Sequence, residues 1–130
     1  MLQPGVAELA RGGNFAVVTS VGPSGLIQAL PLWIDADDAG EHLLINTEVH
    51  RQRYLNYQRD KRATVSIIGR DSWYKWAEVR GEVVGEVRGP EARAHIDTLA
   101  QRYTGANYSQ PITSERVILK IKPVRQLLRA

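Results

Sequence analysis

The sequence predicts a mainly β fold with a few helices: about six antiparallel strands closing into a small barrel, with two or three helices over its openings. Three observations lead there. From Trp76 to Arg88 apolar and polar residues alternate with period two, over a stretch well beyond the ~5–6 residues of a common strand. Gly81 and Gly85 fall on the inner side of that stretch, where missing side chains let a sheet coil sharply and close on itself. The elements also show no strand–helix–strand alternation of the kind that a parallel sheet requires.

The elements follow in order. Val6 to Arg11 reads as a short helix stopped by Gly12 and Gly13. Phe15 to Val21 is an apolar strand, and Gly22-Pro23-Ser24-Gly25 turns it back into a second strand, Leu26 to Ile34. Pro31 has no N–H to give a ladder, so it belongs at an edge, a bulge or a ligand-facing gap. Asp35 to Glu41 reads as a turn before the strand Leu43 to Thr47, and a helix over Arg51 to Arg59 leads to the strand Ala63 to Ile68. In the long strand, Ala77, Val79, Gly81, Val83, Gly85 and Val87 form the inner set; Trp76, Glu78, Arg80, Glu82, Val84, Glu86 and Arg88 form the outer one. Gly89 and Pro90 open a third helix, because proline suits the first helical position, where its missing N–H would be unpaired anyway. Ala92, Ile96, Leu99 and Tyr103 make its apolar stripe and Gly105 ends it. Beyond a polar loop to Ser114, Val117, Leu119 and Ile121 alternate in a last strand ahead of Pro123.

Composition narrows the function. The 130 residues suit a single domain, 1–130, and 43% hydrophobic with 24% charged residues are ordinary globular values. No run reaches the ~18 apolar residues that a membrane span needs, and Met1-Leu2-Gln3-Pro4-Gly5 has no leader character, so a soluble cytoplasmic protein is expected, with no membrane partner. Cysteine is absent, which excludes disulfides and thiol chemistry. His42, His50 and His95 are far apart in sequence, so no metal is expected. A net charge of +3 with acids interleaved reads as a mildly basic surface rather than a nucleic-acid footprint. Neither a GxSxG nor a glycine-rich nucleotide motif after a strand is present.

The most informative stretch is Ile45-Asn46-Thr47-Glu48-Val49-His50-Arg51-Gln52-Arg53-Tyr54-Leu55-Asn56. An apolar strand runs into Asn46 and Thr47, and Arg51 and Arg53 stand at the head of a helix. Free backbone N–H groups, a hydroxyl and two guanidiniums are what a phosphate needs. In mid-helix the two arginines would point about 200° apart, so they converge only if the helix starts beside them; the alternative is a solvated charged face. Asn56, a turn after Arg53, is a candidate for ordering it. His50 reads as an exposed loop histidine. Of the aromatics Trp33, Trp73, Tyr74 and Trp76, Trp76 lies on the outer side of the long strand, where leaving a large apolar side chain in water costs ~1.5–3 kcal/mol. A second copy of the chain, or a flat ligand, is expected to cover it.

Taken together, Gly25-Leu26-Ile27-Gln28-Ala29-Leu30-Pro31-Leu32-Trp33, Leu44-Ile45-Asn46-Thr47, Arg51-Gln52-Arg53-Tyr54-Leu55-Asn56, Arg59-Asp60-Lys61-Arg62-Ala63-Thr64-Val65-Ser66 and Glu78-Val79-Arg80-Gly81 resemble the pyridoxamine 5′-phosphate oxidase-like split β-barrel superfamily. Within it they are most similar to the B-type flavin/deazaflavin oxidoreductases that use coenzyme F420. The resemblance implies a six-stranded antiparallel split β-barrel with flanking helices, and a homodimer with two cofactor sites at the subunit interface. It implies a phosphate loop of Thr47, Arg51 and Arg53, with Asn46 and Asn56 among the cofactor-binding residues, a pocket wall that includes Gln28, Pro31 and Trp33, and residues around Trp76, Tyr74 among them, reaching across the dimer. The cofactor would be F420, or FMN as the alternative, since deazaflavin-binding members usually carry lysine where Arg53 stands. The chain ends soon after the last strand, without the C-terminal motif of true pyridoxamine phosphate oxidases, so that activity is not expected. The activity implied is hydride transfer from reduced deazaflavin to an unsaturated or quinone-like small molecule. A module that binds cofactor or metabolite without turnover is the alternative from another class. The cofactor carries the chemistry in either case, and no catalytic residue is assigned.

Overall fold

The computed structural model describes residues 1–129. Three helices, α1 (Pro4–Arg11), α2 (Gln52–Arg59) and α3 (Pro90–Thr104), accompany seven strands: β1 (Phe15–Val21), β2 (Ile27–Leu32), β3 (Asp35–Ala36), β4 (Leu43–Glu48), β5 (Arg62–Ile68), β6 (Trp76–Arg88) and β7 (Arg116–Arg129). All pair antiparallel in one sheet of order β2-β1-β5-β6-β7-β4-β3. The two edge strands are consecutive in sequence. In a flat sheet at ~4.8 Å spacing they would stand almost 30 Å apart, yet the link from Leu32 to Asp35 through Trp33 and Ile34 spans only about 10 Å. The sheet therefore has to curl until its edges face each other. No ladder joins those edges, so the barrel stays open along one seam.

This corrects the expectation of a closed, six-stranded barrel. The additional strand, β3, lies in the segment read as a turn: Asp35 and Ala36 are buried and pair with Leu44 and Leu43. Two residues are too few to show periodicity. The last strand also does not stop at Pro123. It runs on to Arg129, because Pro123 sits opposite Gly81 at a register shift, where a missing N–H breaks no regular ladder. Gly81 is required there, since a Cβ would lie 2.1 Å from the Lys122 carbonyl oxygen.

A second register shift, between Val83 and Gly85, reverses the faces of β6. Before it, Ala77, Val79 and Val83 point into the barrel with Val65, Ile67, Leu119 and Ile121. After it, Val87 faces outward and packs on Leu44, Ala92 and Ile118 under α3. The placement of Gly85 and Val87 on one face with Ala77 is thus wrong by one bulge residue. The interior is completed by Val6, Ala7 and Ala10 of α1 and by Tyr54 and Tyr57 of α2. Pro90 starts α3 and Gly105, in the left-handed conformation at φ 82°, ends it. Among the described residues no helix is long and apolar enough to cross a membrane.

Candidate cofactor site

The end of β4 carries Asn46, Thr47 and Glu48 to the head of α2. Arg51 is the residue just ahead of that helix, in extended conformation at φ −70° and ψ 146°, and the helix begins at Gln52. Because Arg51 stands outside the helix, the 100° step per residue does not separate it from Arg53, and both line one cavity. Arg53 is half-buried. Its Nη1 donates to Thr47 Oγ1 at 2.9 Å, and its buried Nε has no partner. Burial first, and then the charge of Arg51, pull its pKa down. An unsatisfied buried donor costs ~1–3 kcal/mol, more when charged, so this guanidinium is built to meet an anion.

The cavity lies along the open seam and measures about 590 Å³. One end is formed by Asn46, Thr47, Arg51, Arg53 and Arg116. Its wall is aromatic: Trp33 stacks on Tyr103 with centroids 5.3 Å apart and planes 8° apart, and Tyr108 meets Trp33 edge-on at 6.1 Å. Tyr103 is pinned, since its hydroxyl accepts from Ile34 N–H and donates to the Asn14 carbonyl. Phe15, Val17, Pro31 and Arg70 line the other side, with Ile96 and Leu99 of α3 at the base. Four arginines line the cavity and no carboxylate does.

Behind the cavity runs a chain of buried polar contacts that holds Arg116. Its Nε donates to Asn46 Oδ1 at 2.8 Å, and its ring-facing side stacks 5.2 Å from the Tyr108 centroid. Asn46 Nδ2 donates to the Ala92 carbonyl at 2.9 Å and to His95 Nδ1 at 3.1 Å. Nδ1 therefore accepts, and His95 carries its hydrogen on Nε2, which faces Asp35 Oδ2 at 3.0 Å. Arg102 reaches the other Asp35 oxygen at 2.9 Å. Burial raises the Asp35 pKa, but the hydrogen bonds from His95, Arg102 and Ala36 N–H outweigh it and hold the carboxyl below its ordinary range. Glu48 behaves likewise: burial raises it, and the N–H groups of Ser114 and Thr113 with nearby Arg116 bring it down. Glu48 stands 3.8 Å from both Arg51 and Arg116, so a single carboxylate serves these two arginines and Arg53 is left without one.

Of the residues singled out in the sequence, Pro31, Trp33, Asn46, Thr47, Arg51 and Arg53 come together around this cavity. Four stand elsewhere. Gln28 pairs with Ser20 further along β2, with its Oε1 buried and unpartnered. Asn56 is fully buried, accepting from Gln52 and Arg59 and donating to Ser20 Oγ, so it ties α2 to β1. Tyr74 is exposed in the turn before β6, and Trp76 is half-buried on the outer face beside Ile68. His50 meets Ser114 outside the cavity. Sequence reading missed Arg116, Arg70, Tyr103 and Tyr108. Only Arg116 carried a signal, since the alternation of Val117, Leu119 and Ile121 puts it on the face shared with Asn46. Among the described residues no cluster of His, Asp and Glu could hold a metal ion.

No family model matches the sequence, and no curated protein is similar to it by sequence comparison. Solved structures are similar. An F420 reductase superposes with a TM-score of 0.80 at 28% identity, over 92% of this chain and 94% of that one. The conserved hypothetical protein Rv2991 of Mycobacterium tuberculosis gives 0.71 at 22% identity, over 97% and 82%. A putative pyridoxamine 5′-phosphate oxidase of Listeria innocua gives 0.69 at 17% identity, over 95% and 94%. The latter two share the fold. With the open seam and the arginine-lined cavity in place, these neighbours show that the chain has the fold of the pyridoxamine 5′-phosphate oxidase-like split β-barrel superfamily.

Proposed function

We propose that this protein is an oxidoreductase that holds coenzyme F420 in the seam cavity and reduces an unsaturated or quinone-like small molecule. The observation that carries the reading is the half-buried Arg53, without a carboxylate partner and with an orphaned Nε, in a cavity lined by four arginines and no acid. Likeness to an F420 reductase at 28% identity supports the choice of cofactor. When bound and reduced, such a cofactor supplies a hydride. The chain's own residues do the rest: Thr47, Arg51, Arg53 and Arg116 hold the phosphate, and the Trp33–Tyr103 stack gives a flat ring system a wall that excludes water. One feature favours FMN as the second reading, namely arginine at position 53, whose larger fork binds phosphate with a different geometry than a lysine.

Phe15, Val17 and Pro31 lie on the outer face of the sheet and also line the cavity. Phe15 is 57% and Ile27 69% exposed, and Leu127 continues the apolar surface across β7. A second copy laid on this face would cover it and close the cavity, so the working form we propose is a homodimer, with Tyr74 and Trp76 at the contact.

Titrating the protein with F420 and with FMN, while following fluorescence, decides the cofactor. Binding of neither below high micromolar concentration sinks the reading. Oxidation of the bound, reduced cofactor on adding quinone-like acceptors separates an enzyme from a binding module. Light scattering at micromolar concentration should give twice the chain mass, and Trp76→Glu should lower it to one.

A further inference from the structure

The hydrogen-bond directions behind the cavity leave no freedom at Asn46. The Ala92 carbonyl, 2.9 Å from Asn46 Nδ2, only accepts, and the Arg116 Nε–H, with its nitrogen 2.8 Å from Asn46 Oδ1, only donates. The amide is thereby oriented from both ends, and its remaining N–H goes to His95 Nδ1 at 3.1 Å. His95 in turn gives its one ring hydrogen, on Nε2, to Asp35 Oδ2 at 3.0 Å. Little water reaches this chain to relax it: the side chains of His95 and Asp35 are 11% and 10% exposed, and Asn46 and Arg116 are buried.

A second ring hydrogen on His95 breaks this order. It sits on Nδ1 and points at the Asn46 amide N–H, so two donors meet. The amide escapes only by turning over, which lets Oδ1 accept from Nδ1. Its NH2 then faces the Arg116 Nε–H, and its oxygen lies against the Ala92 carbonyl. Buried polar groups left in such pairings are costly. Arg116 loses the acceptor that aims its guanidinium into the cavity, and keeps only the Tyr108 ring at 5.2 Å and Glu48 at 3.8 Å.

We infer that His95 is a positioning residue that makes anion binding at Arg116 conditional on a neutral imidazole: Arg116 grips the anion while the ring carries one hydrogen and releases it when the ring carries two. This rests on the phosphate reading above and adds its regulation. Arg53 is held by Thr47 and stands outside the chain, so only part of the affinity responds. The other charged groups facing His95 and its partners keep their charge over about pH 8 to 5, where histidine side chains change theirs. Burial raises Asp35 and Glu48, but the hydrogen bonds they accept hold both below the ordinary carboxylate range. Arg102, Arg116 and Arg51 remain cations throughout. Affinity therefore falls as pH falls. Simple attraction predicts the opposite, because a new positive charge near an anion should strengthen binding.

Inorganic sulfate is the probe, because its own charge is constant over this range. The titrations are run in a His50→Ala background, so that the histidine beside Arg51 plays no part. Calorimetry should show the sulfate affinity falling about tenfold from about pH 8 to about pH 5, the loss of one charge-assisted contact. His95→Leu, with no acceptor for Asn46, should have the lower affinity at every pH. His95→Asn places an amide oxygen where Nδ1 stood and takes no proton, so it should recover most of what His95→Leu loses and show no fall in acid. Arg116→Ala should abolish the pH dependence, whereas Arg53→Ala should weaken binding and keep it. An affinity that is flat or rises toward acid, or a fall that survives in His95→Asn or Arg116→Ala, overturns the coupling and leaves the anion site standing. Absence of sulfate binding at every pH removes the anion site, and both readings fall together.

Discussion

Arg53 gives one guanidinium hydrogen to Thr47 Oγ1 at 2.9 Å and leaves its own buried Nε without an acceptor. The contact uses the threonine oxygen as acceptor, so the hydroxyl hydrogen remains available to a ligand. A free guanidinium donor and a free hydroxyl donor thus sit side by side at the mouth of α2, and both call for an oxygen-rich anion.

Arg53→Ala should therefore lower the affinity for a phosphate-bearing cofactor roughly ten- to a hundredfold, the loss of one charged hydrogen bond of ~1.5–3 kcal/mol. Arg51→Ala should cost less, because its side chain is half exposed and already shared with Glu48. Fluorescence titration reads both, and unchanged affinity in the double variant would leave only a solvated charged face.

Asn56→Ala should act on stability and not on the site. Its amide joins Gln52, Arg59 and Ser20 in a fully buried position, and removal strands the Ser20 hydroxyl. A loss of about 1–3 kcal/mol in denaturant unfolding is expected. A drop in cofactor affinity with unchanged stability would place Asn56 in the site after all.

The Asp35 carboxyl is held below its ordinary 3.8. A group whose folded pKa is depressed stabilises the fold at pH above the unfolded value and loses that contribution as pH falls through the folded value. The contribution is thus complete at neutral pH and disappears only below about pH 4. Asp35→Asn should lower the thermal midpoint at pH 7 and make its decline in acid shallower than that of the unaltered protein. Glu48, depressed in the same direction, keeps the decline from vanishing. An equal acid slope in both proteins would refute the assignment.

Gly81→Ala should be badly tolerated, since the added Cβ meets the Lys122 carbonyl oxygen at 2.1 Å and backbone must move. Overpacking of this kind costs about 1–3 kcal/mol or more. Gly85→Ala, whose nearest neighbour would be the Lys120 side chain at 3.8 Å, is the matched control with little effect. Similar midpoints for the two variants would show that the bulge relaxes freely.

What the sequence determined by itself is local. The period-two run of β6, the Pro90 and Gly105 boundaries of α3 and the restriction of Pro31 to an edge, a bulge or a ligand-facing gap all follow from the chemistry of neighbouring residues. So does the meeting of Thr47, Arg51 and Arg53, which a strand running into a helix start brings together within seven positions of chain. Tertiary structure decided the rest, because it depends on pairing across long separations. β3 exists only because Asp35 and Ala36 find β4. The face of Val87 depends on a bulge set by β7, which no alternation within β6 records. Arg116, Tyr103 and Arg70 reach the cavity from three separate elements, and nothing in their immediate surroundings distinguishes Arg70 from any other loop arginine. Only the curling of the sheet, forced by the short link between its two edges, brings them to one seam.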